Sequence, residues 1–504
     1  MQTASDEQQS SLTAALRLDL TRASYGVETL GRLWGDEADA ALHRAQRVPA
    51  IRALRAHPVV PASTLATAFV LGLPVPRTDL AAALPRLGVD GAVALGLVEA
   101  GETVVRPLLD LRPYSFVDAQ GVGSWWIASD LGELSTGGAL REDHVLGVGG
   151  ASMTLSGLMI GAPVDRALDL GTGCGIQAMH AARHAGLVVA TDISRRALDI
   201  ARLNAQLNGI ENIRFRLGSL FEPVAGETFG HIVSNPPFVI TPRGGDVPSY
   251  DYRDGGLVGD ALVASVISGL SDHLEPGGIA QLLGNWEYRA TADGLDRVAG
   301  WTDGTGLDAW VVERERQDPA LYSETWIRDG GTRPGGEFDR LYGAWLDDFE
   351  ARGVTGVGFG YLTLRKPRGT VALRRFERLD GPIGSGLGPH LEASIAAHDR
   401  QAALTDEGLG RGVLTVAGDV TEERHYWPGA EDPTVMVLHQ GGGFGRSISL
   451  DTGLAALVGA CDGELSLRAI VAAIAQLLEV DEAALSSELL PRVRELLVAG
   501  ILTF

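Results

Sequence analysis

The chain has 504 residues, 45% of them hydrophobic, enough for two to four domains with packed cores. A formal net charge of −22 argues against indiscriminate nucleic-acid binding, while leaving room for RNA on a local arginine patch. No apolar run is long enough to span a membrane, no early segment has the order of a secretory signal, and two distant cysteines, Cys174 and Cys461, make neither a disulfide framework nor a zinc cluster, so a cytoplasmic protein without membrane or metal is expected.

Residues 1–10 are polar and read as disordered. From Ser11 to about Val98 the pattern is mostly helical. A turn at Ala100-Gly101-Glu102 and the apolar pairs Val104-Val105 and Leu108-Leu109 follow. Short helices ending in a hairpin predict a winged-helix-like domain over residues 1–130, of a kind that serves nucleic-acid binding and plain packing equally. A central domain is expected over 131–370. Its strands are Asp165–Leu170, Leu187–Thr191, His231–Ser234, Ile279–Leu283 after the turn Pro276-Gly277-Gly278, Leu307–Val312, and Val357–Leu364 as the closing edge. Its helices are Ile176–Ala185, a stretch capped by Ser194 and ending near Asn208, Leu257–Leu274 and Phe338–Arg352. This alternation predicts an α/β, doubly wound, Rossmann-like sheet with its ligand at the carboxyl ends of the strands. Pro382–Gly388 reads as a linker within a third region, 371–504. There the helices Ser466–Leu478 and Glu482–Ala499 and a terminal strand at 501–504 predict a second winged-helix-like module. Gln440-Gly441-Gly442-Gly443-Phe444-Gly445 lacks the Gly-Lys-Ser/Thr ending of a phosphate loop and reads as a hairpin turn.

Two segments carry chemistry. The first is Asp169-Leu170-Gly171-Thr172-Gly173-Cys174-Gly175, between a strand and a helix. Alternate glycines allow positive φ and close approach of a ligand, and the helix start adds free N–H groups. A dinucleotide fingerprint would be Gly-x-Gly-x-x-Gly, but Ile176 stands where its last glycine belongs. A carboxylate at Asp169 repels a pyrophosphate and suits an ammonium, such as that of S-adenosylmethionine. Asp192, at the tip of the next strand, is placed for ribose hydroxyls. Read blandly, each acid caps a helix or sits in solvent.

The second segment is Asn235-Pro236-Pro237-Phe238. Asn235 can accept from a substrate N–H and donate through its own amide. Pro236 has no N–H and a stiff backbone that can aim its carbonyl. Phe238 offers a face for a planar group. An amide or aromatic amine keeps its lone pair in conjugation. Holding both its hydrogens on acceptors favours turning that lone pair toward a methyl donor, so positioning does most of the work. Alone, Asn-Pro-Pro is a turn. After the glycine segment it points to methyl transfer onto a planar nitrogen.

Residues from about 145 to 285 resemble class I methyltransferases of the HemK type, which modify a glutamine amide in release factors. They resemble equally the guanine-N2 and adenine-N6 RNA methyltransferases that share both signatures. The resemblance implies that Asp169, Gly171, Thr172, Gly173 and Gly175 line the methionine end of S-adenosylmethionine, that Asp192 takes the ribose, and that Ile193 also borders the cofactor. It makes Asn235, Pro236, Pro237 and Phe238 the acceptor pocket. It also matches Ala151–Leu155 to a segment that sets a threonine, here Thr154, beside the cofactor. Gly218-Ser219-Leu220-Phe221-Glu222-Pro223 matches the family's Gly-Asp-Leu-Phe-Glu-Pro, with Ser219 in place of the acid expected at the adenine amine. Tyr252-Arg253-Asp254-Gly255-Gly256 is similar to the glycine-rich loop beyond the acceptor segment. Two flanking domains imply a macromolecular acceptor, protein or RNA, and the acidic charge favours a protein glutamine. A natural-product N-methyltransferase and a non-catalytic cofactor-binding scaffold are the alternatives, the intact Asn-Pro-Pro-Phe speaking against the scaffold.

Overall fold

A computed structural model describes residues 6–132, 135, 141–244, 247–248, 253–381 and 386–504. The chain divides into two compact units, Met1–Ser156 with Ala162–Thr370, and Gly157–Gly161 with Val371–Phe504.

The first unit is built on seven strands: β1 (Val164–Leu170), β2 (Ala185–Asp192), β3 (Ile213–Leu217), β4 (Phe229–Ser234), β5 (Leu274–Arg289), β6 (Asp308–Gln317) and β7 (Val354–Arg365). They lie in the order β3-β2-β1-β4-β5-β7-β6. β1 to β5 are parallel, with Leu168 opposite Val189 and Ile232, and Ser234 opposite Leu282. Ala167, Leu168, Val188, Val189, Ile232 and Val233 are fully buried or nearly so, as expected of parallel strands covered on both faces. The strand order reverses between β1 and β4. Their carboxyl ends therefore open the crevice where a ligand belongs in such a sheet.

β7 corrects one expectation. The Val357–Leu364 strand is not the closing edge. It runs antiparallel between β5 and β6 and pairs with both. Chain order suggested an edge, but the last strand folds back into the sheet. Its glycines make that possible: a Cβ at Gly358 would lie 2.3 Å from Trp286 Nε1, and one at Gly360 would lie 2.2 Å from Val312 O. The helices Pro319–Asp329 and Gly336–Ala351, inserted between β6 and β7, bury Tyr322, Ile327, Phe338, Trp345 and Phe349 against Val239 and Ile240, just beyond the Asn235 segment.

The N-terminal residues do not begin in disorder where they are described: a helix spans Asp6–Arg22, and its Leu16 and Leu20 are fully buried. Of the stretch expected to be disordered, residues 1–5 lie outside the described residues, and 6–10 open this helix ahead of its buried part. A three-stranded antiparallel sheet follows, in which Val104–Pro107 pairs with both Val75–Pro76 and Val98–Ala100. Then comes a long hairpin, Leu109–Asp118 with Gly121–Asp130. Leu16, Leu20, Tyr25, Leu111 and Ile127 share one core with Ile176, Met179, Leu203 and Leu207 of the helices that flank β2.

In the second unit, strand Val413–Val416 lies between Asp462–Ser466 and Leu502–Thr503, packed on helices Leu467–Leu477 and Glu482–Val498. The glycines at 441–445 join two antiparallel strands, Val435–Gln440 and Ser447–Leu450, as a hairpin turn. Of the expected linker, residues 382–385 lie outside the described residues. Gly386, with φ of 84°, instead starts a helix, Leu387–Ala402.

Candidate functional site

β1 runs straight into the glycine turn. Gly171, Gly173 and Gly175 have φ of 77°, 55° and 88°, a region that residues with a Cβ avoid. A Cβ at Gly175 would lie 2.9 Å from Ala201 Cβ, so this glycine lets the turn close on the helix Arg195–Leu207. At Gly171 and Gly173 a Cβ would meet nothing within 4 Å, so this backbone borders open space. Thr191 O accepts from the N–H groups of Gly171 and Thr172, each at 2.9 Å, tying the turn to β2. Cys174 packs inside the turn, and burial pushes its thiol up to about 11.

Asp169 is fully buried. Its Oδ2 accepts from the Thr172 hydroxyl at 2.6 Å and from Ala178 N–H at 2.8 Å, and its Oδ1 has no partner. Burial raises its pKa to about 7, against the pull of those two hydrogen bonds. Asp192 accepts at Oδ2 from Gly173 N–H (2.9 Å) and at Oδ1 from Ser194 N–H (2.8 Å). It thereby fixes the turn and the next helix at once. Ile193 beside it is 61% exposed. Gly218 N–H donates to Asp192 O at 3.0 Å, which brings Ser219 and Leu220 alongside. Ser219 is exposed, and Leu220 is held at φ 45°. Thr154 is half-buried on the helix Gly150–Leu158. That helix is tied to the start of helix Ile176–Ala181 by Gln177 Nε2, which donates to Ser152 O at 2.8 Å. Gln177 Oε1 is buried without a partner.

On the other side of the crevice, the Ser234 hydroxyl donates to Leu170 O at 2.7 Å and pins the start of the Asn235 loop to the end of β1. Asn235 is half-buried, and its Oδ1 is buried with no partner. Pro236 is buried and Pro237 half-buried. The Phe238 ring lies 5.6 Å from that of Phe359, at 48°. The loop is then gripped twice. Val239 N–H donates to Arg253 O at 2.9 Å, and Ile240 N–H donates to Tyr322 Oη at 3.0 Å. Tyr322 Oη also accepts from Asn285 Nδ2 at 2.6 Å, and Asn285 Oδ1 is buried without a partner. Burial holds the Tyr322 hydroxyl well above its ordinary pKa. Tyr252 lies outside the described residues. Arg253 and Asp254 are buried, Arg253 donating to Trp326 O at 2.8 Å and Asp254 pairing with Arg243.

Sequence reasoning missed Gln177, Asn285, Tyr322 and Phe359. A lone asparagine in the apolar stretch Leu282-Leu283-Gly284-Asn285-Trp286 was a readable signal, because an amide buried in a strand needs a partner. Tyr322 and Phe359 had none.

Three family descriptions match: Domain of unknown function (DUF7059) over residues 22–108, Methyltransferase small domain over 150–245, and Domain of unknown function (DUF7782) over 397–504. Residues 150–245 are a methyltransferase small domain. The chain is 39% identical over 144 residues to the release factor glutamine methyltransferase of Xylella fastidiosa, covering 27% of this chain and 52% of the relative. The ribosomal protein uL3 glutamine methyltransferase of Bradyrhizobium diazoefficiens is 34% identical over 153 residues, covering 28% of this chain and 46% of that one. The chain thus spans about half the length of the curated relatives it matches. A methyltransferase from Pyrococcus furiosus superposes with a TM-score of 0.25 at 19% identity, covering 42% of this chain and 77% of that one. Motif, relatives and strand order together identify the methyltransferase domain as class I and HemK-like.

Proposed function

We propose that this protein transfers the methyl group of S-adenosylmethionine to the side-chain amide nitrogen of a protein glutamine. The observation that carries this reading is Asn235 Oδ1, buried and unpartnered in a loop pinned to the end of β1. An acceptor left so costs about 1–3 kcal/mol, a cost that a ligand N–H removes.

The residues at the turn fit the cofactor. Asp169 Oδ1 is unused, and a carboxylate there suits an ammonium. The backbone at Gly171 and Gly173 faces open space. Asp192 is oriented by two backbone N–H groups at the tip of β2, the position that suits ribose hydroxyls, while Ile193 offers an exposed apolar face. Thr172 lies in the turn, Thr154 sits on the helix that Gln177 ties to the start of the next one, and Ser219 with Leu220 would flank the adenine. Bound there, S-adenosylmethionine supplies a methyl that is electrophilic without further activation. Asn235 Oδ1 takes one amide hydrogen of the acceptor, the Pro236 carbonyl the other, and Phe238, backed by Pro237 and Phe359, stacks on the amide plane. The amide nitrogen gains the methyl as the methyl–sulfur bond breaks, a neutral thioether leaves, and one of the two held N–H protons is released.

The relatives named as glutamine methyltransferases, for a release factor and for ribosomal protein uL3, support a protein acceptor and a cytoplasmic setting. Among the described residues, no helix is long and apolar enough to cross a membrane. We read the chain in three parts, 1–130, 131–370 and 371–504. The outer two are winged-helix-like, on the support of their small three-stranded sheets and packed helices. The test is incubation with methyl-labelled cofactor and cell extract. Label should enter protease-sensitive, ribonuclease-resistant material and be recovered as N5-methylglutamine. Label in RNA would move the reading to base methylation.

A further inference from the structure

The hairpin Leu109–Asp118/Gly121–Asp130 is sealed along most of its length and open near its tip. Its strands pair without a bulge from Leu109↔Asp130 to Asp118↔Gly121. Backbone groups therefore point outward at alternate residues. On the second strand three such residues are covered. The Asn208 amide exchanges hydrogen bonds with Trp126 N–H (2.9 Å) and Trp126 O (2.8 Å). Asn204 does the same with Ala128, at 2.7 and 2.9 Å, and Asp130 N–H donates to Val145 O at 3.0 Å. On the first strand, Leu111 O accepts from the Tyr25 hydroxyl at 2.9 Å, and Pro113 has no N–H to offer.

Continuing the alternation toward the tip, the outward residues are Ser115 and Val117, opposite Ser124 and Val122. All four are exposed, Val117 at 77% and Val122 at 83%. Their side chains share one face, which with Tyr25, Val27 and Glu28 borders a groove of about 1020 Å³. On the opposite face Tyr114, Phe116 and Trp125 close around His180, with the Tyr114 hydroxyl 3.2 Å from His180 Nε2. His180 belongs to the helix that follows the glycine turn. The groove shares Val27, Pro113 and Tyr114 with a second cleft of about 520 Å³, which reaches Gly149, Gly150 and Met153, next to Thr154.

We propose that the free edge at Ser115 and Val117 takes an extended segment of the acceptor protein as an added β-strand, and that the groove leads this segment toward the methyl-transfer site. The inference rests on the reading of a protein acceptor and gives it a docking surface. An unblocked edge with paired N–H and C=O groups at a two-residue repeat matches a polypeptide backbone. A DNA backbone offers no donors, and an RNA backbone only its 2′-hydroxyls, without the alternating amide donor and carbonyl acceptor that complete a strand ladder. The groove also carries no cation for phosphates; its one charged lining residue is Glu28.

The test uses the full chain and a double variant, Ser115→Pro with Val117→Pro. It removes the two outward donors at positions equivalent to Pro113, where the hairpin already accepts a proline. Methyl transfer is measured to the labelled protein acceptor and to a short glutamine peptide too small to span the hairpin. The expected result is a KM about tenfold higher for the protein acceptor, with kcat, peptide turnover and cofactor affinity unchanged. An unchanged KM for the protein acceptor, with wild-type label in protein, overturns the edge proposal alone. No protein label from the wild type overturns both readings. Should the double variant fail to fold, hydrogen exchange on the wild type decides. Ser115 and Val117 amides should gain protection when the acceptor protein is added, and no gain overturns the proposal. Protection that instead rises with the chain's own concentration, without acceptor, also overturns it, in favour of self-pairing.

Discussion

The two banks of the crevice are held together in different ways. On the cofactor side, the supports are local. Asp169, Thr172, Gly173, Ala178, Asp192 and Ser194 are tied to one another within a single strand-turn-helix-strand unit. On the acceptor side, the Asn235 loop is short but its supports come from remote chain: Asn285 on β5, Tyr322 on an inserted helix and Phe359 on β7. The first bank is built to present a fixed backbone. Each bank leaves buried oxygens with nothing to accept from, Asp169 Oδ1 and Gln177 Oε1 at the glycine turn and Asn235 Oδ1 and Asn285 Oδ1 at the acceptor loop. Binding strength should therefore depend on the first bank and turnover on the second.

The sharpest way to break that division is Asn235→Ala. If its Oδ1 orients the acceptor nitrogen only as the reaction proceeds, the loss falls on the transition state. A cost of about 2–4 kcal/mol is expected, roughly 30- to 1000-fold in kcat. Cofactor affinity by calorimetry should stay near wild type. Wild-type turnover by the folded variant would falsify the planar-nitrogen mechanism. Next in size is Asp192→Ala, which acts on the other bank. It removes the proposed ribose partner and frees the N–H groups of Gly173 and Ser194. Cofactor binding should weaken by about 1.5–3 kcal/mol, as for hydrogen bonds to a charged group. If Kd does not change, Asp192 is only a brace for the turn.

That contrast also explains what could be read from the sequence. The glycine turn, the strand that enters it and the acid at the tip of β2 are contiguous, so their spacing records their geometry. Asn235-Pro236-Pro237-Phe238 was legible for the same reason. Tyr322 was not, because nothing local distinguishes it from any aromatic on an amphipathic helix; its role arises only when the helix pair folds back over Ile240. The place of β7 was hidden likewise. Sequence order carries no sign that the last strand enters between two earlier ones, and Gly358 and Gly360 show their purpose only once Trp286 is seen beside them. The free edge of the hairpin was equally silent, since it depends on which outward groups Asn204, Asn208 and Tyr25 cover.

Tyr322→Phe sharpens the comparison with a smaller expected effect. It takes away the oxygen that accepts from Ile240 N–H and Asn285 Nδ2 and leaves the ring packed against Trp345 and Phe349. Unsatisfied donors of this kind cost about 1–3 kcal/mol. Melting temperature and kcat should both drop, while cofactor affinity holds. A lowered cofactor affinity with unchanged kcat would place Tyr322 on the wrong bank.

The last comparison is Asp169→Asn, read through pH. Burial raises this carboxyl from 3.8 to about 7 in the folded protein. Below about pH 4 both folded and unfolded forms hold the proton, and its stabilising contribution is complete. As pH rises from 4 to 7 the unfolded chain releases the proton while the folded one retains it, so stability falls across that window and levels off above it. The asparagine variant has no such proton, and its melting temperature should lose this part of the slope. Cofactor affinity offers the second reading. An ammonium is held by the ionised form, so in the wild type affinity should climb through pH 7, and in the variant it should not. Parallel melting profiles for the two proteins would show that another group titrates there. A climb in affinity that survives the substitution would take Asp169 away from the ammonium and leave it as the organiser of Thr172 and Ala178 alone.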